Sequence, residues 1–134
     1  MPRRFVALPI LLLGALSAAG CGTSTDREQA RSAAQRLYTA VRQRDGATAC
    51  AQMSPDLRMQ VVKDQSQPRC SKAALKLSLH GGAPAVVRVY ANSAQVQFGA
   101  ADTVFLSDTR AGWRVDALGC KPQGPGPYDC EEQS

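Results

Sequence analysis

The clearest pattern in the chain is an apolar stripe with helical spacing in its first third. Apolar side chains recur every three or four positions, at Ala30, Ala33, Ala34, Leu37, Tyr38 and Val41. This spacing predicts an amphipathic helix over about residues 26–44. Thr25 or Asp26 is expected to cap its start, and Gly46 is expected to end it.

Shorter helical segments are predicted to follow the long helix. Residues 47–53 form one of them. The sequence Ser54-Pro55-Asp56 is typical of a helix start, with a serine cap, a proline in the first turn and an acid beside it, and it predicts a helix to about Lys63. After a loop that contains Pro68, a further helical turn is expected to open at Cys70.

The pattern changes to a period of two after residue 84, which is typical of strands. Four strands are predicted, over about residues 85–91, 94–98, 103–107 and 113–118, and the short turns between them imply an antiparallel meander. Helices followed by strands indicate an α+β fold. One face of the sheet is expected to lie under the long helix and to line any interior pocket, through Val87, Val89, Val96, Phe98, Val104, Leu106, Trp113 and Val115.

The N-terminus has the layout of an export leader. Arg3 and Arg4 precede an apolar run from Phe5 to Leu16, and small residues follow. The run is shorter than the roughly 18–20 residues that span a bilayer, so residues 1–20 are predicted to be a cleaved signal peptide.

The residues Ala18-Ala19-Gly20-Cys21 resemble the lipobox of bacterial lipoproteins, although that family most often has leucine where Ala18 stands. The resemblance implies that the thiol of Cys21 receives a diacylglyceryl group and that the chain is cut before it. Two acyl chains suffice for stable anchoring. We therefore expect a protein anchored on the extracytoplasmic face of the cell membrane, with residues 21–25 as its tether. The alternative is a secretory leader cut near Ala19, which releases the protein.

The chain has five cysteines, and an odd number in an exported protein needs an explanation. Lipidation of Cys21 leaves four, which allow three disulfide pairings. We favour the local pairing Cys50–Cys70 and Cys120–Cys130, in which each bond contributes about 3 kcal/mol in the chain-entropy model. A zinc site is the alternative, but no C-x-x-C pair is present and His80 is the only histidine.

Two further segments have two interpretations each. Residues 119–134 are rich in proline and glycine and are predicted to form a disulfide-closed tail, either a plain staple or a loop that presents Tyr128 at its tip. Arg27, Arg31 and Arg42 flank the helical stripe, where they are either solvated or in contact with anionic lipid heads.

Three segments together resemble the nuclear transport factor 2-like superfamily, which has a cone-shaped α+β fold. They are the helix Ala33–Val41 followed by Asp45-Gly46, the short helix at 50–53 that leads into Ser54-Pro55, and the closing strand 112–116. The chain is also similar to small lipoproteins of high-GC bacteria that join a lipobox to such a domain. The resemblance covers about residues 26–118 and implies a cone with a four-stranded sheet.

Enzymes of this superfamily place acidic or histidine side chains inside the cone as general acids or bases. The inward positions above carry none. Asp108 lies at a strand end, His80 lies in a loop, and Asp102 stands where turns favour aspartate. No nucleophile, metal or nucleotide motif is present. We expect no catalytic residue, no cofactor and no metal.

The predicted function is therefore a non-catalytic interaction or structural module of the cell envelope, bound to the membrane through Cys21. It is expected to act through contacts with an envelope protein or with the cell wall. The alternatives are a binder of a small apolar ligand inside the cone and, less favoured, an isomerase-like or cyclase-like enzyme. The formal net charge of +5 includes two leader arginines and is too small to indicate nucleic acid.

Overall fold

The computed structural model describes residues 23–134, which form helices followed by antiparallel strands. The helices are α1 (Ser24–Arg42), α2 (Gly46–Ala51), α3 (Pro55–Asp64) and α4 (Cys70–Ala73), which continues as a 3₁₀ turn over Ala74–Lys76. The strands are β1 (Val86–Tyr90), β2 (Ser93–Gln97), β3 (Thr103–Thr109), β4 (Gly112–Cys120) and β5 (Glu132–Gln133). The α+β class is confirmed. The predicted leader and Cys21 lie outside the described residues.

Helix α1 starts earlier than the sequence predicted. The Thr23 hydroxyl accepts a hydrogen bond from the Asp26 amide (3.2 Å), and the Asp26 carboxylate accepts one from the Thr23 amide (2.9 Å). The amide and, to a lesser extent, the hydroxyl of Thr23 both donate to that carboxylate and lower the pKa of Asp26. The reciprocal pair is a capping box, so Thr23 takes the role predicted for Thr25 or Asp26.

Gly46 does not end α1, as the sequence suggested. The chain turns at Arg44, which has a φ of 64°, and Asp45 then caps α2 by accepting a hydrogen bond from the Thr48 amide (3.0 Å). A Cβ at Gly46 would overlap the carbonyl oxygen of Ser71. Glycine is therefore needed here because α2 and α4 approach too closely for any side chain between them.

Both disulfides have the predicted pairing. Cys50 is bonded to Cys70 with their Cα atoms 6.0 Å apart, and Cys120 is bonded to Cys130 with their Cα atoms 3.8 Å apart. The first bond joins α2 to α4, two helices too short to be stable alone. The second closes the start of the C-terminal tail.

The sheet has five strands, not four, in the order β1-β2-β3-β4-β5, and every neighbouring pair is antiparallel. The additional strand β5 comes from the tail and pairs with Ala117 and Leu118 of β4. It is only two residues long and both residues are polar, so no alternating pattern marks it in the sequence.

The core lies between the helices and one face of the sheet. Leu37 of α1 and Leu57 of α3 are fully buried, together with Val96, Val104 and Val115 of the strands. Seven of the eight side chains predicted to face inward are buried, and the eighth, Val87, is partly buried against them. No helix between Thr23 and Ser134 is both long and apolar enough to cross a membrane.

Strand β4 bulges twice where it passes β3. Leu106 pairs with Val115, Phe105 pairs with Ala117 and Thr103 pairs with Cys120, so β4 has one extra residue at each of two points. Such bulges bend a strand and release backbone groups from the ladder. The second one contains Gly119, at a φ of 64°. Its amide points away from β3 and is available to a side chain of α1.

The tail lies along the face of the sheet that contains Phe105. The ring of Tyr128 meets that of Phe105 edge-on with centroids 5.1 Å apart, and its hydroxyl accepts a hydrogen bond from the Gln95 side chain (3.0 Å). In β5, the buried carboxylate of Glu132 accepts one from Gln65 (3.0 Å). These contacts favour the staple interpretation of the tail over the presentation loop.

Candidate functional site

A buried polar network connects α1 to the loop before β3 and to the β4 bulge. The Tyr38 hydroxyl donates a hydrogen bond to Oδ2 of Asp102 (3.1 Å) and accepts one from the amide of Gly119 (3.1 Å). The ring of Tyr38 stacks on Phe98 with centroids 4.5 Å apart. Burial raises the pKa of Tyr38 well above its ordinary value, and the neighbouring carboxylate raises it further. The hydroxyl therefore stays protonated and donates permanently to Asp102.

Asp102 is the centre of this network and is 1% exposed. Besides the bond from Tyr38, its Oδ2 accepts a hydrogen bond from the His80 amide (2.8 Å), and its own amide donates to the His80 carbonyl (3.1 Å). Its Oδ1 is buried without a partner. No described lysine, arginine or histidine forms an ion pair with it. Asp102 is thus a buried carboxylate with half of its hydrogen-bonding capacity unused.

Asp102 lines a cleft of about 260 Å³, which we call the Asp102 cleft. Its other lining residues come from the loop before β1, from the end of β4 and from the tail: Ser78, His80, Gly119, Lys121, Asp129, Cys130 and Glu131. Glu131 is held in place because its carboxylate accepts a hydrogen bond from the Ser78 amide (2.8 Å). Three carboxylates therefore face this cleft, against the single ammonium group of Lys121 and the imidazole of His80.

A second cleft of about 590 Å³ adjoins the first, since both include Ser78 and His80. It runs along the C-terminal half of α1 past Tyr38, Val41 and Arg42. Gly81 lies close to the ring of Tyr38, and a Cβ there would come within 2.5 Å of it. The loop over 78–81 is therefore held against α1, where it forms the wall between the two clefts.

The chemistry of the Asp102 cleft is that of an acceptor site. An unpartnered carboxylate oxygen in a desolvated position favours a cationic or strongly hydrogen-bond-donating group. Among the described residues, no group of three or more His, Cys, Asp or Glu side chains is arranged to hold a metal ion. Ammonium and guanidinium groups, and other N–H or O–H groups, are donors of this kind.

The sequence interpretation treated Asp102 as a turn residue and His80 as a solvated loop residue. The structure brings both into one cleft, with Asp102 buried and His80 exposed at the surface. A signal for Asp102 was present, because it has the same strand parity as the inward residues Val104 and Leu106. Asp108, which shares this parity, is exposed at the strand end. Tyr38 was counted only as core, and nothing in the pattern indicates its bond to Asp102.

The predicted inward side chains and the three arginines of α1 do not lie in the Asp102 cleft. All eight inward side chains pack in or against the hydrophobic core, and Trp113 also lines a surface cleft. The three arginines proposed to meet lipid do not share a role. Arg31 donates to the Pro84 carbonyl (3.1 Å) and pairs with Glu28, whereas Arg42 lines the cleft beside Tyr38.

No known protein family, curated protein or solved structure matches this chain. The resemblance to the nuclear transport factor 2-like superfamily therefore stays a prediction, and the site has to be interpreted from its own geometry.

Proposed function

We propose that this protein is a lipid-anchored lipoprotein on the extracytoplasmic face of the cell membrane, and that it acts by binding a partner and not by catalysis. The observation that carries the proposal is the pairing of Cys50 with Cys70 and of Cys120 with Cys130. It leaves Cys21 as the one cysteine without an intramolecular partner, as lipidation requires. Two disulfides also fit an oxidising compartment.

The binding surface that we propose is the Asp102 cleft, with a cationic group of the partner as its occupant. The support is the unpartnered Oδ1 of Asp102 together with the carboxylates of Asp129 and Glu131. Asp102 is buried, and an acceptor oxygen without a donor there is destabilising, so a bound ammonium or guanidinium group would relieve that cost.

Catalysis receives less support because the groups that a general acid or base would use have structural roles. Oδ2 of Asp102 holds the Tyr38 hydroxyl and the loop at His80. The alternative of an apolar ligand in the interior also receives less support, since the inner side chains pack against one another. The cone-shaped superfamily fold remains part of the proposal, supported by the order of one long helix, short helices and an antiparallel meander.

The anchor is tested by growing cells that express the full chain with radioactive palmitate. We expect label and membrane association for the unaltered chain and for the leader variant Ser17→Ala, which keeps the cysteine. Cys21→Ser should lose both. Label that persists in Cys21→Ser, or an unlabelled parent chain, would contradict the anchor.

The binding role is tested by calorimetric titration of the purified full chain with agmatine, which contains both an ammonium and a guanidinium group. Asp102→Asn keeps an acceptor for Tyr38 and His80 but removes the charge, and we expect affinity to fall about tenfold or more. Glu28→Gln removes an exposed carboxylate on α1 and is the matched control. Equal affinity in the two variants would overturn the assignment of this cleft.

A further inference from the structure

A third cleft lies on the other side of α1 and is built differently from the Asp102 cleft. It measures about 260 Å³ and lies between α1 and the β3–β4 hairpin; we call it the Trp113 cleft. Its polar and charged side chains are those of Gln29, Ser32, Arg36, Trp113 and Arg114. Two arginines and no acidic side chain line it, so its charge is opposite to that of the Asp102 cleft.

Trp113 supplies the observation that points to a ligand. The side chain is 4% exposed, and its indole Nε1 is buried with no hydrogen-bond partner. An indole N–H can only donate, and a buried donor without an acceptor is destabilising. An acceptor that entered the cleft would satisfy it.

The two arginines are held in position at the cleft. Arg36 donates from Nη1 to the Ser32 hydroxyl (2.8 Å) and from Nε to the Gln52 side chain (3.3 Å). Arg114 donates from Nη1 to the carbonyl of Trp113 (2.9 Å). These bonds use only part of each guanidinium group, since arginine has five N–H donors. The remaining N–H groups are available to a ligand.

We propose that the Trp113 cleft binds a phosphate group. Four groups of the cleft can donate hydrogen bonds: two guanidinium groups, the indole N–H and the Ser32 hydroxyl. Together they offer more donors than a carboxylate with two oxygens needs, and they match the larger number of oxygens on a phosphate. Arginine pairs with phosphate in two-point geometry, which favours it over lysine at such sites. The phosphate belongs either to a phospholipid headgroup or to a soluble phosphate ester. The proposal does not depend on Cys21 or on the Asp102 cleft.

Trp113 is the only tryptophan of the sequence, so its fluorescence reports on this cleft directly. The experiment titrates the full chain in detergent with sn-glycerol 3-phosphate at constant ionic strength and follows the emission. We expect a saturable change that becomes about tenfold or more weaker in Arg36→Gln and in Arg114→Gln. Arg27→Gln, which removes an exposed arginine of α1 outside the cleft, is the matched control and should leave the affinity unchanged.

The role of the indole N–H is tested with Trp113→Phe, which keeps an aromatic ring but removes the donor. Calorimetry replaces fluorescence for this variant, and we expect weaker binding in a protein whose circular dichroism is unchanged. If Trp113→Phe does not fold, Arg36→Lys serves instead, since it keeps the charge but loses two-point pairing and should bind more weakly than the parent.

Two further arms identify the source of the phosphate. Vesicles that contain phosphatidylglycerol are compared with vesicles of phosphatidylcholine alone, and succinate is compared with glycerol phosphate. A response confined to phosphatidylglycerol vesicles supports a lipid headgroup, whereas a response to glycerol phosphate alone supports a soluble ester. Equal responses to succinate and glycerol phosphate, no saturable response to any probe, or equal affinities in Arg36→Gln and Arg27→Gln would overturn the proposal.

Discussion

The Asp102 cleft and the Trp113 cleft flank the same helix and have opposite characters. Tyr38, which donates a hydrogen bond to Asp102, and Arg36 of the Trp113 cleft are two positions apart on α1, which places them about 200° apart around its axis. The Asp102 cleft contains a buried acceptor without a donor, and the Trp113 cleft contains a buried donor without an acceptor. One helix thus separates two surfaces that would take ligands of opposite charge.

The two clefts also differ in what holds them together. Lys121, Asp129, Cys130 and Glu131 of the Asp102 cleft come from the disulfide-closed tail. The Trp113 cleft uses only α1 and one hairpin. The first cleft therefore depends on the path of the tail, which the Cys120–Cys130 bond closes, whereas no tail residue lines the second. The two should respond differently when the tail is loosened.

The largest effect is expected from Trp113→Ala. The ring is part of the core as well as of its cleft, so its removal should lower the free energy of unfolding by about 3–5 kcal/mol. Urea unfolding followed by circular dichroism measures this loss. A loss below about 1 kcal/mol would show that the ring does not pack in the core, and the description of the Trp113 cleft would then be wrong.

Removing the tail disulfide is the clearest test of whether the two clefts are independent. Replacing Cys120 and Cys130 with serine should cost about 3 kcal/mol of stability, because the unfolded chain regains the freedom of the closed loop. It should also weaken agmatine binding and leave the response to glycerol phosphate unchanged. If both ligands lose affinity equally, the clefts are not independent.

A smaller and pH-dependent effect is expected at Glu132, which holds β5 of the tail against α3. Its burial, and secondarily the nearby carboxylate of Asp64, raise its pKa above the ordinary value of 4.5. A raised pKa means that the folded state binds the proton more tightly than the unfolded state. The stability from this group is therefore complete below pH 4.5 and is lost as the pH rises through the raised value.

Glu132→Gln should remove the loss of stability at higher pH, because the amide stays neutral at every pH. Its oxygen can still accept a hydrogen bond from Gln65. We expect the variant to be more stable than the parent by on the order of 1 kcal/mol at pH 7 and nearly equal to it at pH 4. Chemical unfolding at the two pH values measures the difference, with the exposed Glu28→Gln as control. A variant that is less stable at pH 7 would show that the Glu132 carboxylate stabilises the tail.

Much of this architecture could be predicted from the sequence, because dense periodic patterns reflect burial directly. The stripe of α1 and the alternation at Val104 and Leu106 are of this kind. Removing Cys21 from an odd number left four cysteines with three possible pairings, and the favoured local pairing is the one observed. The start of α1 was less predictable, because Thr23, Thr25 and Asp26 are all residues that can cap a helix.

The acidic cleft was harder to predict because its residues have no local pattern. The position of Glu131 depends on where the tail crosses the sheet, and that path depends on the Cys120–Cys130 bond and on the two bulges of β4. The bulges also shift the alternation of β4, so that Ala117 pairs with Phe105 on the face under the tail. A periodic interpretation cannot locate such shifts.

The strand order affects whether copies of the protein can aggregate through the edges of their sheets. Among the described strands, β1 and β5 are the two edges of the sheet, so each has one row of backbone amide and carbonyl groups without a partner in the sheet. An unpaired edge strand can pair with the edge strand of another molecule, which leads to aggregation. Strand β1 is only five residues long, and its exposed Arg88 would repel the same residue of a second copy, which opposes aggregation through that edge.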